Sequence, residues 1–154
     1  MNCITRVPYV PTSKRTVRKI VEYANIQPKQ KVYDLGCGDG RFLLEAEKKY
    51  KAHAEGYELA PLPYILAQFK RAFHKANFKI HCKNFFEHNL EDANVIICYL
   101  GPETMDKLGE KILKECKKGT KIICNTFRLK TLTPVKVWEK NPKSRLPSIY
   151  LYEI

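Results

Sequence analysis

Along the chain, stretches with apolar residues at helical spacing alternate with short β-rich runs. Residues 17, 20, 21 and 24 are apolar at helical spacing, and Thr12 or Ser13 can cap the helix that they predict. β-rich runs near 32–35, 52–57, 78–82, 93–99 and 121–127 then alternate with further helical patterns. Strands that alternate with helices predict an α/β fold built on a parallel sheet.

The C-terminal part of the chain departs from this alternation. Two β-rich runs, 135–138 and 148–154, are joined by a loop rich in Pro and Asn, with no helical pattern between them. We therefore expect an antiparallel hairpin, with Trp138 in its core. The run at 93–99 is almost wholly apolar, which is typical of a central strand covered on both faces. We predict one domain over residues 1–154, with 1–11 as an extended N-terminal segment.

A glycine-rich loop follows the first strand. The sequence at 34–41 reads DLGCGDGR, and a helical pattern resumes after it. Glycines at 36, 38 and 40 let bare backbone N–H groups approach a ligand. The dinucleotide fingerprint G-x-G-x-x-G does not match, because Arg41 stands where its third glycine belongs. The phosphate loop also fails, because no Gly-Lys pair follows.

Polar residues mark the ends of several predicted strands. Ligands of open α/β sheets lie beyond the carboxyl ends of the strands, and this rule selects Asp34, Glu58, Asn84 and Tyr99. Glu58 follows Gly36 by 22 residues, close to the spacing expected of a ribose-binding acid. Taken alone, Glu58 would be a surface residue before a proline turn. The glycine loop favours the binding role.

The spacing of Asp34 and the three glycines resembles motif I of the class I S-adenosylmethionine-dependent methyltransferases, [DE]-x-G-x-G-x-G. Together with PYVPT at 8–12, NFF at 84–86 and YLY at 150–152, it is similar to the small archaeal protein-lysine methyltransferases. The wider family includes the lysine methyltransferases of ATP synthase subunit c. The resemblance implies a Rossmann-like seven-stranded methyltransferase sheet, parallel with a C-terminal antiparallel hairpin and helices on both faces. It also implies S-adenosylmethionine as cofactor and a protein lysine ε-amine as acceptor.

The resemblance also implies roles for single residues. The methionine half of the cofactor would meet Asp34 and the loop, the ribose would meet Glu58, and the adenine would meet Asn84 and Phe85. The full set of expected cofactor contacts is Tyr9, Thr12, Asp34, Gly36, Cys37, Gly38, Glu58, Asn84, Phe85 and Tyr99. At least one of Phe85 and Phe86 can instead be a plain core residue.

The catalytic candidates are Tyr99, on the acceptor side, and Tyr9. With Phe86 they could form an aromatic lining that desolvates the substrate lysine and lowers its pKa. Tyr99 could also orient the amine, and no dedicated general base is evident. We expect Asp39 and Arg41 to form a local ion pair of little energetic weight.

The chain is strongly basic. It has 28 lysines and arginines against 16 acids, a formal charge of +12. Such an excess favours acidic partners, including nucleic acid, or reflects a solvated lysine-rich surface. Two alternatives to lysine methylation therefore stay open: an RNA or DNA methyltransferase, and a non-catalytic cofactor-binding partner subunit. The absence of an N/D-P-P-Y/F signature after the fourth strand argues against the first alternative, and the intact glycine loop against the second.

The remaining expectations concern partners and location. We expect protein substrates with exposed lysines, possible contact with nucleic acid, no membrane partner, a monomer and a cytoplasmic location. The six cysteines show no zinc-site spacing, so we expect no metal.

Overall fold

A computed structural model describes residues 9–154 as seven strands and four α-helices around one sheet. The helices are α1 Lys14–Tyr23, α2 Arg41–Tyr50, α3 Pro61–Phe73 and α4 Pro102–Glu115, and a 3₁₀-helix covers Phe85–Glu87. The strands are β1 Lys31–Leu35, β2 His53–Tyr57, β3 Lys79–His81, β4 Val95–Cys98, β5 Lys121–Asn125, β6 Lys136–Trp138 and β7 Ile149–Glu153. The part of the expected N-terminal segment before residue 9 lies outside the described residues.

The strands form one mixed sheet in the order β3-β2-β1-β4-β5-β7-β6. The first five strands of the sequence are mutually parallel, and β7 is antiparallel to both β5 and β6. This confirms the predicted sheet and its terminal hairpin. The strand order reverses between β1 and β4, and this switch point opens a crevice at the carboxyl end of β1.

Helices cover both faces of the sheet, as predicted. One core cluster joins residues of α1, α2 and α3 to β1, β2 and β4, while a second joins α4 to the opposite side chains of the same strands. The central strand β4 is buried along its whole length, in agreement with its apolar sequence. Among the described residues, no helix is long and apolar enough to cross a membrane.

The first helix begins as its sequence suggests. The Ser13 hydroxyl accepts a hydrogen bond from the backbone N–H of Thr16 at 3.1 Å, so Ser13 is the cap. At the other end of α1, the Tyr23 ring stacks on Trp138 with centroids 4.0 Å apart. Trp138 is half-buried against this helix, so the expectation of a core position in the hairpin holds only in part.

Backbone conformation sets the ends of α4 and β5. The fourth helix ends at Glu115, because Cys116 already has an extended backbone. Gly119 occupies the turn before β5, with a φ of +91°. The fifth strand ends at Asn125, two residues early, because Thr126 has a φ of +69° and turns the chain out of the sheet.

Candidate active site

The glycine loop is held by backbone hydrogen bonds to the neighbouring strand. The N–H groups of Gly36 and Cys37 both donate to the carbonyl of Tyr57, at 2.9 and 3.0 Å. The N–H of Gly38 donates to the Glu58 carboxylate at 2.9 Å. Gly36 and Gly38 have φ values of +81° and +52°, in the left-handed region that favours glycine. The loop therefore has a single fixed path over the end of β2.

Two side chains lie directly on the loop. A Cβ added at Gly36 would sit 2.8 Å from Cδ2 of Leu100, and one added at Gly38 would sit 2.8 Å from Cε2 of Tyr9. Neither glycine leaves room for a larger residue without displacing its neighbour. Tyr9 is thus placed at the loop, as expected. Sequence reasoning missed Leu100, although its position two residues past β4 was a usable signal.

Asp34 is the most deeply buried acid of this crevice. It is 3% exposed, and among the described residues its Oδ2 has no hydrogen-bond partner. Burial raises the pKa of the Asp34 carboxyl well above its usual value, and the charges of Glu58 and Asp39 add to the rise. An ionised carboxylate in this position is costly unless a positive group compensates it. The site therefore fits a cationic ligand, such as the methionine half of S-adenosylmethionine.

Glu58 stands at the opposite side of the loop. Its Oε1 accepts a hydrogen bond from the Ala60 N–H at 2.7 Å, while its Oε2 accepts the one from Gly38. These two bonds fix the carboxylate, and each oxygen keeps a further lone pair for a ligand hydroxyl. The geometry fits the predicted ribose contact.

Asp39 joins three segments rather than forming the weak local pair that we expected. Its carboxylate accepts hydrogen bonds from Arg41, at 2.8 and 2.7 Å, and from Lys70 of α3 at 2.5 Å. Arg41 also donates to the Thr12 carbonyl. Burial opposes ionisation of Asp39, but the bonds from Arg41 and Lys70 outweigh it and lower the pKa to about 2. The added cation comes from Lys70, a partner that is distant in sequence.

Replacing Asp39 by asparagine is expected to lower the free energy of unfolding by about 1–2 kcal/mol at neutral pH, after screening by solvent. The pKa of Asp39 in the folded protein is about 2, below the usual 3.8. The ionised carboxylate therefore stabilises the native state fully at pH values above about 4. The stability of the unmodified protein should fall as pH drops from about 4 to about 2, and the variant should lack that step. Urea unfolding at several pH values measures both. Equal stabilities at pH 7 would contradict the structural role.

The N-terminal contacts of the loop come from Tyr9 and Thr12. Tyr9 is 43% exposed, and its hydroxyl lies beside Asp39 and Arg41. Burial and the charge of Asp39 raise the pKa of Tyr9. Thr12 is half-buried, and its carbonyl accepts a hydrogen bond from Arg41 at the start of α2. Both residues lie at the edge of the crevice, where a bound ligand could meet them.

The predicted adenine contacts divide into two environments. Asn84 is half-buried and caps the 3₁₀-helix, because its Oδ1 accepts a hydrogen bond from the Phe86 N–H at 3.1 Å. Phe85 is buried in the core cluster beside α4. Its side chain is therefore a core residue, the alternative considered above for one of the two phenylalanines. The Phe86 ring lies against it, with centroids 4.4 Å apart.

The side chain of Cys37 points away from the crevice. A Cβ on Gly56 of β2 would lie 2.7 Å from the Cys37 Sγ, so the thiol packs into the sheet. Burial raises the pKa of this thiol well above its usual value. Cys37 can therefore meet a ligand only through its backbone. The isolated glycine in β2 was a sequence signal of this close approach.

An aromatic pair borders the crevice beyond β4 and β5. The rings of Tyr99 and Phe127 are nearly parallel, with centroids 6.3 Å apart. A tight turn presents Phe127, because its N–H donates to the Asn125 carbonyl at 2.8 Å across Thr126. A positive φ is strained for a β-branched residue, and such strain clusters at functional sites. Sequence reasoning selected Tyr99 but missed Phe127, which lies two residues past the end of β5.

Comparison with known proteins agrees with this geometry. The profile of the ANTKMT methyltransferase domain matches residues 34–136. A protein-lysine N-methyltransferase of Saccharolobus islandicus is 32% identical over 157 residues, covering 100% of this chain and 98% of that protein. The adenine nucleotide translocase lysine N-methyltransferase of Mus musculus is 34% identical over 86% of this chain. The match spans 58% of the mouse protein.

Solved structures show the same fold. An RNA methyltransferase from Salinibacter ruber, crystallised with S-adenosyl-L-homocysteine, superposes with a TM-score of 0.87 at 24% identity and 94% coverage of both chains. A methyltransferase from Thiobacillus denitrificans, also with S-adenosyl-L-homocysteine, gives a TM-score of 0.65 over 78% of this chain.

Three observations agree with one another: the crevice at the switch point, the buried Asp34 oxygen that has no partner in the part of the chain that the structure describes, and the match of residues 34–136. The protein is an S-adenosylmethionine-dependent methyltransferase and belongs to the family of the ANTKMT methyltransferase domain.

Proposed function

We propose that this enzyme is a protein-lysine N-methyltransferase and that residues 1–154 form one methyltransferase domain. One observation carries the proposal. The chain matches a protein-lysine N-methyltransferase of Saccharolobus islandicus over nearly the whole length of both proteins. The mouse relative matches over only 58% of its own length, so it adds support for the domain alone.

The cofactor would be held by the residues around the glycine loop. Asp34 would face its positive methionine half, and the backbone of Gly36, Cys37 and Gly38 would line the approach. Glu58 would accept hydrogen bonds from the ribose hydroxyls, while Asn84 would meet the adenine. Tyr9 and Thr12 would cover the site from the N-terminal segment. The burial of Asp34 and the fixed Glu58 carboxylate support these assignments.

The acceptor would enter past the aromatic pair of Tyr99 and Phe127. When bound, the cofactor supplies a methyl group on a positively charged sulfur. The substrate amine must arrive neutral, although the pKa of a free lysine is near 10.4, on the order of three units above neutrality. The two rings would exclude water from the ammonium and so lower its pKa. The released proton would pass to solvent.

The transfer itself would be an in-line displacement. The nitrogen–carbon bond forms as the carbon–sulfur bond breaks, so the protein chiefly has to align the amine with the methyl group. The Tyr99 hydroxyl would accept a hydrogen bond from the neutral amine and fix its direction. The position of Tyr99 immediately after β4, opposite Phe127, supports this role.

Replacing Tyr99 by phenylalanine is expected to lower kcat for a lysine acceptor about tenfold, because one positioning hydrogen bond is lost. Replacing Phe127 by leucine should instead move the pH profile of kcat, measured at saturating acceptor, to higher pH, because the bound lysine is less well desolvated. Initial rates between pH 6 and 10 measure both effects. Unchanged rates and profiles in both variants would remove the aromatic pair from the acceptor site.

A second candidate is methylation of RNA or DNA. The observation that favours it is the formal charge of +12, which would attract a polyanion. The third candidate is a partner subunit without catalysis. The presence of both Asp34 and the glycine loop argues against it, because such a subunit has no need of a complete site.

Methyl transfer in a host-cell extract separates these candidates. The extract is incubated with isotope-labelled S-adenosylmethionine and the enzyme, and aliquots are then digested with protease or with nucleases. We expect protease to release the label and nucleases to leave it in place. Label released by nucleases would establish the second candidate, and an absence of label despite cofactor binding would favour the third.

A further inference from the structure

The third helix turns a wide apolar face toward solvent. Its inward side consists of small residues, Pro63 and Ala67, which are buried. The outward residues are large and apolar, and Phe69 and Phe73 are 70% and 85% exposed. We call this face the α3 stripe: Leu62, Ile65, Leu66, Phe69 and Phe73.

The α3 stripe has the spacing of a recognition surface. Its residues recur at i, i+3, i+4, i+7 and i+11, so they lie within one sector of the helix. The stripe is about 16 Å long at 1.5 Å per residue. Contiguous exposed apolar surface of this kind marks interaction sites, whereas single exposed apolar residues do not.

The charged residues of the chain segment that carries the stripe have one sign. Between residues 59 and 86 the sequence contains five basic residues and no acidic one: Lys70, Arg71, Lys75, Lys79 and Lys83. The whole chain is also strongly positive, so a second copy would be repelled. The charge therefore favours an acidic partner that adds apolar contacts of its own.

The helix that carries the stripe also contacts the glycine loop of the cofactor site. The α3 helix begins three residues after Glu58, and its Lys70 binds Asp39 in the glycine loop. On the inward side, the Cβ of Ala67 lies 3.3 Å from the position that a Cβ on Gly40 would take. The outer face of α3 would thus contact the partner, while its inner face packs against the glycine loop.

We propose that the α3 stripe is a docking surface for the methyl-accepting protein, which presents an acidic amphipathic segment. This inference rests on the proposed lysine methyltransferase function and names its class of substrate. The apolar side of the segment would cover Leu66, Phe69 and Phe73. Its acids would meet the basic residues of the enzyme's own segment other than Lys70, which is bound to Asp39. Docking there would raise the local concentration of substrate lysines beside the crevice.

Two designed peptides test this docking. Each has about 16 residues, a single lysine and several glutamates, and one has leucines at i, i+3, i+4 and i+7 on its other face. The second peptide has glutamine in place of every leucine. Binding is measured by fluorescence anisotropy of dye-labelled peptide, and methylation is measured separately as kcat and KM. Because binding does not require methyl transfer, failure of docking and failure of the proposed reaction give different results.

Two enzyme variants complete the design. The double variant L66S/F69S removes part of the stripe, and L113S removes an equally exposed leucine from α4 on the opposite face of the sheet. Since all three side chains are exposed, the melting temperature and cofactor affinity of both variants should match those of the unmodified enzyme. That match separates loss of docking from loss of folding.

We expect the unmodified enzyme to bind the leucine peptide at least about tenfold more tightly than the glutamine peptide, a difference that salt reduces. The preference should disappear in L66S/F69S and persist in L113S, with the change in KM and not in kcat. Equal binding of both peptides, or a preference that survives in L66S/F69S, would overturn the proposal. Two other results would also overturn the proposal: dimerisation of the unmodified enzyme that is lost in L66S/F69S, and binding to vesicles of anionic lipid that is lost in the same variant.

Discussion

Replacing Asp34 by asparagine is expected to lower the affinity for S-adenosylmethionine about a hundredfold and, at the same time, to stabilise the unliganded protein. The carboxylate is buried, and its Oδ2 has no hydrogen-bond partner among the described residues. A charged hydrogen bond to a cationic ligand contributes on the order of 1.5–3 kcal/mol, which corresponds to roughly ten- to hundredfold in affinity. Without the ligand the same charge is a cost, and the neutral amide removes it.

The opposite signs of these two effects make the test stringent. Burial raises the pKa of Asp34, so its ionised form lowers the free energy of unfolding above its usual pKa of 3.8. We expect the melting temperature of the unliganded variant to rise by about 2–4 °C for each kcal/mol gained. Calorimetric titration and thermal unfolding measure the two quantities. A variant that loses affinity but melts lower would show that Asp34 supports the fold rather than the ligand.

Replacing Glu58 by alanine is also expected to weaken binding of S-adenosylmethionine about a hundredfold. Two effects combine, because the variant loses the proposed ribose acceptor and leaves the N–H of Gly38 without its partner. The backbone of the loop is then less well fixed. Calorimetric titration with S-adenosylmethionine and with S-adenosylhomocysteine measures the change, and both should weaken alike, since the two ligands share the ribose.

Glu58→Gln is the matched control for this change. The amide keeps an oxygen for the Gly38 N–H but loses the charge and one acceptor, so we expect an intermediate loss of about tenfold. Binding by the alanine variant within about twofold of the unmodified enzyme would contradict the assigned role of Glu58.

The sequence was sufficient for the main features of the fold. Alternating apolar spacings predicted the parallel strands and the terminal hairpin, and Ser13 and the glycine loop were identified from local chemistry. These features depend on neighbours in sequence, where spacing and residue type carry the information. The positions of Asp34 and Glu58 followed from one general rule on where ligands bind parallel sheets.

Features that depend on long-range contacts were not predictable in this way. A helical pattern between two strands indicated α3, but it did not show that small residues such as Ala67 pack inward while Phe69 points outward. Likewise, only the arrangement of α3 brings Lys70 to Asp39, which turns a local pair into a three-way contact. The packing of α3 against the rest of the fold decides such contacts.

A buried polar network between strands shows the same limit. Glu55 of β2 is buried and accepts hydrogen bonds at 2.7 Å from Lys31 and His81, on the strands at either side. Burial opposes ionisation of Glu55, but these two bonds lower its pKa overall. No single segment of sequence indicates that these three side chains meet.

The most direct test of the central claim is to identify the amino acid that receives the methyl group. Protein labelled from isotopic S-adenosylmethionine is hydrolysed completely, and the products are separated by chromatography against methylated standards. We expect the label in N-methylated lysine, formed by the unmodified enzyme and reduced in proportion to cofactor binding in Glu58→Ala. Label in any other methylated amino acid, or equal label from the variant, would contradict the assignment of this crevice as a lysine methylation site.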